Sequence, residues 1–268
     1  MTANITLGQY LPGNSVVHRL DPRTKIFLMV IYIAIVFVVK SLFVFLLPVV
    51  LLVTMFAFAQ IPASYFFSAL KPMKWLLVFM FVINLFATQG ETILFQWKFI
   101  KFTQEALEQA FFMTLRLILL VAGTSILTLT TSPIALTDGL EKLMAPLRKL
   151  RFPAHELAMM MTIALRFIPT LMEETDRIQK AQMARGADFE SGNIFQRAKS
   201  MIPVLVPLFV SAFRRADELA MAMESRCYHG GEGRTRMREL HFHARDLFST
   251  VFLVAFLVGI ILLEKMPL

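Results

Sequence analysis

LFVFLLPVVLLVTMFAFA, residues 42–59, carries no charged side chain across 18 positions, about the length at which an apolar run is read as a membrane-crossing helix. Four further runs without Asp or Glu, dominated by Leu, Ile, Val, Phe and Met, lie at about 22–40, 73–88, 110–129 and 247–263. Crossing about 30 Å of hydrocarbon at ~1.5 Å per residue takes roughly 20 residues, so these segments reach that length narrowly and leave little room for tilt. The chain as a whole agrees: of 268 residues 57% are hydrophobic, with 26 Phe and 17 Met. The reading is an all-α integral membrane protein with about five transmembrane helices.

Two other apolar stretches, Leu157 to Ile168 and Met201 to Phe213, would cover only about 20 Å and contain Arg166, Pro203 and Pro207, which places them outside the bilayer core. Orientation follows from the basic residues, because positive loops stay cytoplasmic. With the N-terminus inside, 22 of the 27 Lys and Arg are cytoplasmic, four are external and Arg116 lies within a span. The C-terminus is then outside, in a multi-pass protein of the cell membrane. The net charge of +8 is accounted for by topology without a nucleic-acid partner, and no RNA- or DNA-binding motif is present. The single Cys227 rules out an internal disulfide. Met1 to Tyr10 has no apolar h-region, so no cleaved signal is expected.

Three regions follow from this pattern: a leader with four spans at 1–131, a cytoplasmic module of three helical regions at 132–246, and a last span at 247–268. Within the module, Ser132 is expected to cap a helix that has Pro133 at its first position. Asp138 and Glu141 repeat the capping-box spacing before a short amphipathic helix, Leu140 to Leu150. A second helical region runs from Pro153 to Arg185, kinked near Pro169, and a third from about Ile194 to Arg226, broken by Pro203 and Pro207. A loop over Gly186 to Asn193 joins them. The Gly230-Gly231-Glu232-Gly233 turn returns the chain to its last span.

The second and third regions form a weak internal repeat. Ala184-Arg185-Gly186 and Ser225-Arg226-Cys227 lie 41 residues apart, each arginine nine residues after an aspartate, Asp176 and Asp217. Arg185 read alone is a helix cap: arginine complements the negative end of the helix dipole and Gly186 supplies a left-handed turn. Recurrence at Arg226 favours docking instead, since Ser225 and Cys227 preserve small neighbours that leave a guanidinium free to enter a partner's pocket, while the turn after Arg226 is expected to differ. Methionines Met159, Met160, Met161 and Met201 concentrate in the same helices. They serve either as core or as an adaptable apolar surface for a changing membrane partner.

Other chemistries are weak. His155-Glu156 begins like a zinc-protease motif, but Met159 stands where the second histidine is needed, so no metal site is assigned. No phosphate-cradling G-x-x-x-x-G-K-S/T occurs, so any ATP must be bound by a partner. No acid lies between Pro22 and Gly90 or in the last two spans, which disfavours an ion-coupled carrier. A lipid-modifying membrane enzyme would need clustered acids or histidines, which only Glu173, Glu174 and Asp176 approach. Arg116 is either an inward-facing contact or a snorkelling side chain near the outer end of its helix.

The leader Gly8-Gln9-Tyr10-Leu11-Pro12-Gly13, the run His18-Arg19-Leu20-Asp21-Pro22-Arg23-Thr24-Lys25, the segment Ala164-Leu165-Arg166-Phe167-Ile168-Pro169 and the segment from Ala181 to Asp188 closely resemble the transmembrane T component of energy-coupling factor transporters. The likeness covers nearly the whole chain. It implies a non-catalytic scaffold in an ABC-type importer of a vitamin or transition-metal ion, whose module consists of three coupling helices. Two ABC-type ATPases, which bind the ATP and Mg, would dock on Ala184, Arg185, Gly186, Ser225, Arg226 and Cys227. A small membrane protein, the S component, would bind the substrate and contact the methionine-bearing surface. No catalytic residue, metal site or cofactor is implied for the chain itself.

Overall fold

The computed structural model describes residues 10–88, 92–97, 100–150, 152–189, 191–230 and 240–265. Gly8 and Gln9 of the leader, Glu91 and Lys98 of the external connection and most of the Gly230–Gly233 turn lie outside them. Two compact units are present, one of Met1–Gly139 with Leu240–Leu268 and one of Leu140–Glu239.

The first unit holds helices α1 (Pro22–Val38), α2 (Leu46–Ala59), α3 (Ala63–Leu70), α4 (Lys74–Ala87), α5 (Gln104–Thr130), the start of α6 (Pro133–Met144) and α10 (Ala244–Lys265). Helix α5 is its axis, packing against α1, α2, α3 and α4, while α10 packs against α1. Tyr32, Ile35 and Val36 of α1, Leu119 and Ala122 of α5, and Leu253 and Ile260 of α10 are buried together. Tyr32 donates its hydroxyl to the Leu119 carbonyl at 2.9 Å, so its polar atom has a partner within the core. Gly123 makes that fit possible, since a Cβ there would stand 2.2 Å from Tyr32 Cε1.

Helix ends differ from expectation in instructive ways. A 3₁₀ turn at Lys71–Met73 links α3 to α4, so the third apolar segment extends back to Ala63 and totals 25 residues. Pro72 falls at the start of that turn, where a missing N–H costs no hydrogen bond. Helix α5 begins at Gln104 rather than near 110, because the Thr103 side chain accepts from the Ala106 amide at 3.3 Å. The connection between α4 and α5 contains an antiparallel hairpin of β1 (Ile93–Trp97) and β2 (Ile100–Thr103) with Trp97 paired to Ile100. Helices α1 and α2 are short, at 17 and 14 residues.

The leader end of this bundle is tied by a polar knot. Asp21 caps α1, accepting from the Arg23 amide at 2.9 Å, and its own amide donates at 2.8 Å to Asp246 Oδ1, 225 residues away. Asp246 also accepts from the His243 amide at 2.9 Å. Lys25 buries its ammonium and fills all three donors with His18 O, Thr130 O and Thr131 Oγ1 at 3.1, 2.9 and 3.3 Å. Arg23 bonds both Asp21 oxygens and the Leu240 carbonyl and covers the Phe242 ring at 4.2 Å. The Leu11 amide donates to Leu129 O at 2.9 Å, which brings the leader onto the end of α5.

These contacts set the relative directions of α1, α5 and α10. The starts of α1 and α10 meet through Asp21 and Asp246, and Glu264 near the end of α10 accepts from the Lys40 and Ser41 amides just past α1, so α1 and α10 are parallel. Helix α5 is antiparallel to both, ending beside Lys25 and placing Arg116, whose guanidinium donates to Val39 O at 2.7 Å, at the far end. The open question about Arg116 resolves as a contact near that end: it satisfies a terminal carbonyl of α1 and lies over Phe112 at 4.6 Å.

Among the described residues, four helical segments are long and apolar enough to cross a membrane: Ala63–Ala87, Gln104–Thr130, Ala244–Lys265 and Ile194–Glu224. The last contains Met201 to Phe213, which the sequence reading excludes from the bilayer.

In the second unit, α7 (Ala154–Ala184) is continuous through Pro169 for 31 residues. It is followed by α8 (Ile194–Ser200) and α9 (Ile202–Glu224). The third helical region breaks at Met201, not at the prolines. Pro203 falls in the first turn of α9, where proline is tolerated, and Pro207 lies inside the helix without ending it. Pro207 has no N–H for the Pro203 carbonyl four residues back, and Gln182 Nε2 of α7 approaches that carbonyl at 3.4 Å in its place. The first helical region also shifts. Ser132 caps α6 through the Ala135 amide, the helix runs from Pro133 past Asp138 and Glu141, and a 3₁₀ segment, Ala145–Leu150, replaces its expected second half. The capping box at Asp138 and Glu141 is therefore not a helix start, because the stronger Ser-Pro signal lies upstream.

Candidate functional site

Both arginine motifs are built by the same local geometry. At the end of α7 the backbone turns left-handed at Gly186 (φ 91°), the Gly186 amide donates to Met183 O at 2.9 Å and the Ala187 amide to Gln182 O at 3.0 Å. At the end of α9 it turns left-handed at Cys227 (φ 55°), the Cys227 amide donates to Glu224 O at 2.9 Å and the Tyr228 amide to Met223 O at 3.1 Å. Each is a Schellman cap, and each places its arginine on the last residue before the reversal. The second turn thus matches the first, contrary to the sequence expectation. Cys227 adopts a conformation usually left to glycine.

Arg185 and Arg226 are exposed, as are Ala184, Gly186, Ser225 and Cys227. Among the described residues neither guanidinium has a side-chain or backbone acceptor. The caps are completed by backbone amides alone, so the arginines are not needed to close their own helices. Asp176, nine residues before Arg185, accepts from Lys180 Nζ at 2.7 Å, and that hydrogen bond holds its carboxyl below the usual carboxylate range. Asp217 is exposed and makes no such contact. The Asp-to-Arg spacing is therefore shared by the two copies without a shared interaction.

Cys227 offers a direct check on the cap. A side chain at positive φ costs about 1 kcal/mol relative to glycine, so Cys227→Gly is expected to stabilise this helix end by roughly 0.5–1 kcal/mol. Hydrogen exchange at the Tyr228 amide should slow by about two- to fivefold. Unchanged or faster exchange would mean the turn is not strained.

The second surface of this unit is apolar. Met160 and Met161 are exposed on α7, while Met159 and Met201 are half-buried. Larger side chains that a search for methionine passes over are also bare on α9: Ile202, Leu205, Val206, Phe209, Val210 and Phe213. Their signal was present in the sequence as the apolar run that begins at Met201. His155 Nδ1 pairs with Glu141 Oε1 at 3.0 Å, and no group of three metal-binding side chains occurs among the described residues.

The comparisons with known proteins agree over almost the whole length. The family described as cobalt transport protein, CbiQ, matches residues 13–237. The energy-coupling factor transporter transmembrane protein EcfT of Thermosediminibacter oceani is 55% identical over 96% of this chain and 97% of its own. The EcfT proteins of Clostridium kluyveri and Bacillus subtilis are 55% and 48% identical over 94% and 95% of this chain, covering 93% and 96% of their own lengths. With its helical bundle, its apolar segments and this identity across the full chain, the protein belongs to the energy-coupling factor transporter transmembrane family, as a multi-pass membrane subunit of a transporter.

Proposed function

We propose that this chain is the coupling subunit of an energy-coupling factor importer, with two ABC-type ATPases docked on Arg185 and Arg226. The observation that carries the reading is the pair of exposed arginines on matching left-handed caps, each without an acceptor among the described residues. An arginine so placed presents a planar fork of donors to carboxylates or carbonyls in a partner groove. ATP and Mg are bound by the partners, and their closure on ATP shifts the two helix ends. The exposed apolar side chains of α7 and α9, Met160 and Met161 among them and the half-buried Met159 and Met201 beside them, are the surface offered to an S component that carries the substrate. That substrate is a vitamin or a transition-metal ion, the latter in keeping with the cobalt transport described for the matching family. The module at 132–246 is cytoplasmic.

The reading predicts that the isolated chain neither binds nor hydrolyses ATP, and that hydrolysis appears only when two ATPase subunits are added. Nucleotide binding by the isolated chain at micromolar affinity would overturn it. The orientation follows from 22 cytoplasmic against four external basic residues together with the parallel course of α1 and α10. In a Cys227→Ser background, a cysteine at Gly192 should be labelled only from the cytoplasm and one appended to the C-terminus only from outside. Labelling of both from one side would refute the odd number of crossings.

A further inference from the structure

The two docking motifs belong to an internal repeat of period 41, and one contact in the second unit joins residues separated by that same interval. Arg215 of α9 donates to Glu174 Oε2 of α7 at 2.7 Å, with both side chains half-buried between the helices. Glu174 and Arg215 are therefore equivalent positions of the two repeats. The two repeats therefore meet at a matching point of each. Running outward from it, Arg185 is eleven residues beyond Glu174 and Arg226 eleven beyond Arg215. Each arm is then about 16 Å long at 1.5 Å per residue.

The helices run antiparallel, since Glu174 meets Arg215 while Gln182, further along α7, meets Pro203, further back on α9. The two arms consequently leave this contact in opposite directions. The repeats differ at this point in the sign of their charge: Glu173-Glu174 in one copy stands where Arg214-Arg215 stands in the other. Two identical copies would place like charges together here, and the substitution of acid for base converts that repulsion into an ion pair. Among the described residues no other ion pair joins α7 to α9.

From this geometry we infer that Glu174 and Arg215 form the fulcrum of the coupling pair, holding the two arginine-bearing arms at equal length so that displacement at one helix end is returned at the other. The inference rests on the docking role proposed for Arg185 and Arg226. These two are positioning residues, which touch neither ATP nor substrate. A salt bridge suits a fulcrum because it fixes one point of contact, while the apolar surfaces on either side can slide.

The test uses the full complex of this chain with its two ATPases and an S component, reconstituted in vesicles, and reads substrate taken up per ATP hydrolysed. Glu174→Gln and Arg215→Gln should each lower that ratio by roughly 2- to 30-fold, the range seen when residues between coupled sites are changed, while both ATPases stay bound. The exchanged pair Glu174→Arg with Arg215→Glu should restore it to near the unaltered value. Single variants with an unchanged ratio, or an exchanged pair that assembles yet stays uncoupled, would overturn the fulcrum. So would release of the ATPases by the single variants, because the pair would then hold the fold and not the coupling. Failure of the docking reading is separate: it would show as ATPases that remain bound when both Arg185 and Arg226 are reversed in charge.

Discussion

With Arg185 and Arg226 both changed to glutamate, the chain is expected to insert into the membrane as before and to lose both ATPases and all substrate uptake. The two halves of that expectation have different physical origins. Insertion is spared because each cap is closed by backbone amides, Gly186 and Ala187 in one case and Cys227 and Tyr228 in the other, and the guanidinium has no acceptor within the described chain. Docking is lost because truncating one member of a buried, hydrogen-bonded charge pair at an interface costs about 2–5 kcal/mol, or roughly 30- to 3,000-fold in affinity, and reversal adds repulsion. Each single Arg→Ala should weaken coupling and leave the other ATPase attached. Lysine should rescue poorly, having no planar fork. A solvated arginine at a helix end is worth under about 1 kcal/mol. Normal assembly of the doubly reversed protein would therefore reduce both residues to dipole complements.

Asp246→Ala should act on the fold instead. Asp246 is 2% exposed and accepts from the Asp21 and His243 amides. Removing it leaves those two amides without an acceptor. Each buried donor left unsatisfied costs about 1–3 kcal/mol, so the pair is a large share of the stability of most domains. The expected result is a fall in the amount of protein extracted intact and in its melting temperature, with Asp246→Asn recovering part of the loss because its amide oxygen still accepts. A melting temperature within a degree or two of the unaltered protein would show that the knot is not essential.

Of the five apolar segments, those at 73–88, 110–129 and 247–263 fall in helices long and apolar enough to cross a membrane, because composition and length alone decide that, whereas the runs at 22–40 and 42–59 form helices of only 17 and 14 residues. Helix ends were less legible, since Thr103, Ser132 and the turn at Lys71–Met73 act through caps that shift a boundary by several residues. The prolines misled for a related reason. Pro207 signals a broken helix when read locally, yet the carbonyl it orphans is reached by Gln182 from another helix. The hairpin from Ile93 to Thr103 was missed because the short connection between α4 and α5 gives no strong turn signal. At the candidate site, the positions of Arg185 and Arg226 were readable from spacing, whereas the identity of their two turns was not, because cysteine at a left-handed position carries no sequence warning. The run from His18 to Lys25 was visible only as a resemblance. Its physical content is the pairing of Asp21 with Asp246 across 225 residues, which no local pattern contains.

That pairing also has a temporal side. Translation at about 5–20 residues per second puts roughly 10–45 seconds between the emergence of Asp21 and of Asp246. Through that interval the amide of Asp21 has no acid to receive it, while Lys25 needs only His18, Thr130 and Thr131, all made earlier. The tie between the starts of the first and last helices is therefore the last of these contacts to form, and a chain that stops before Asp246 lacks it.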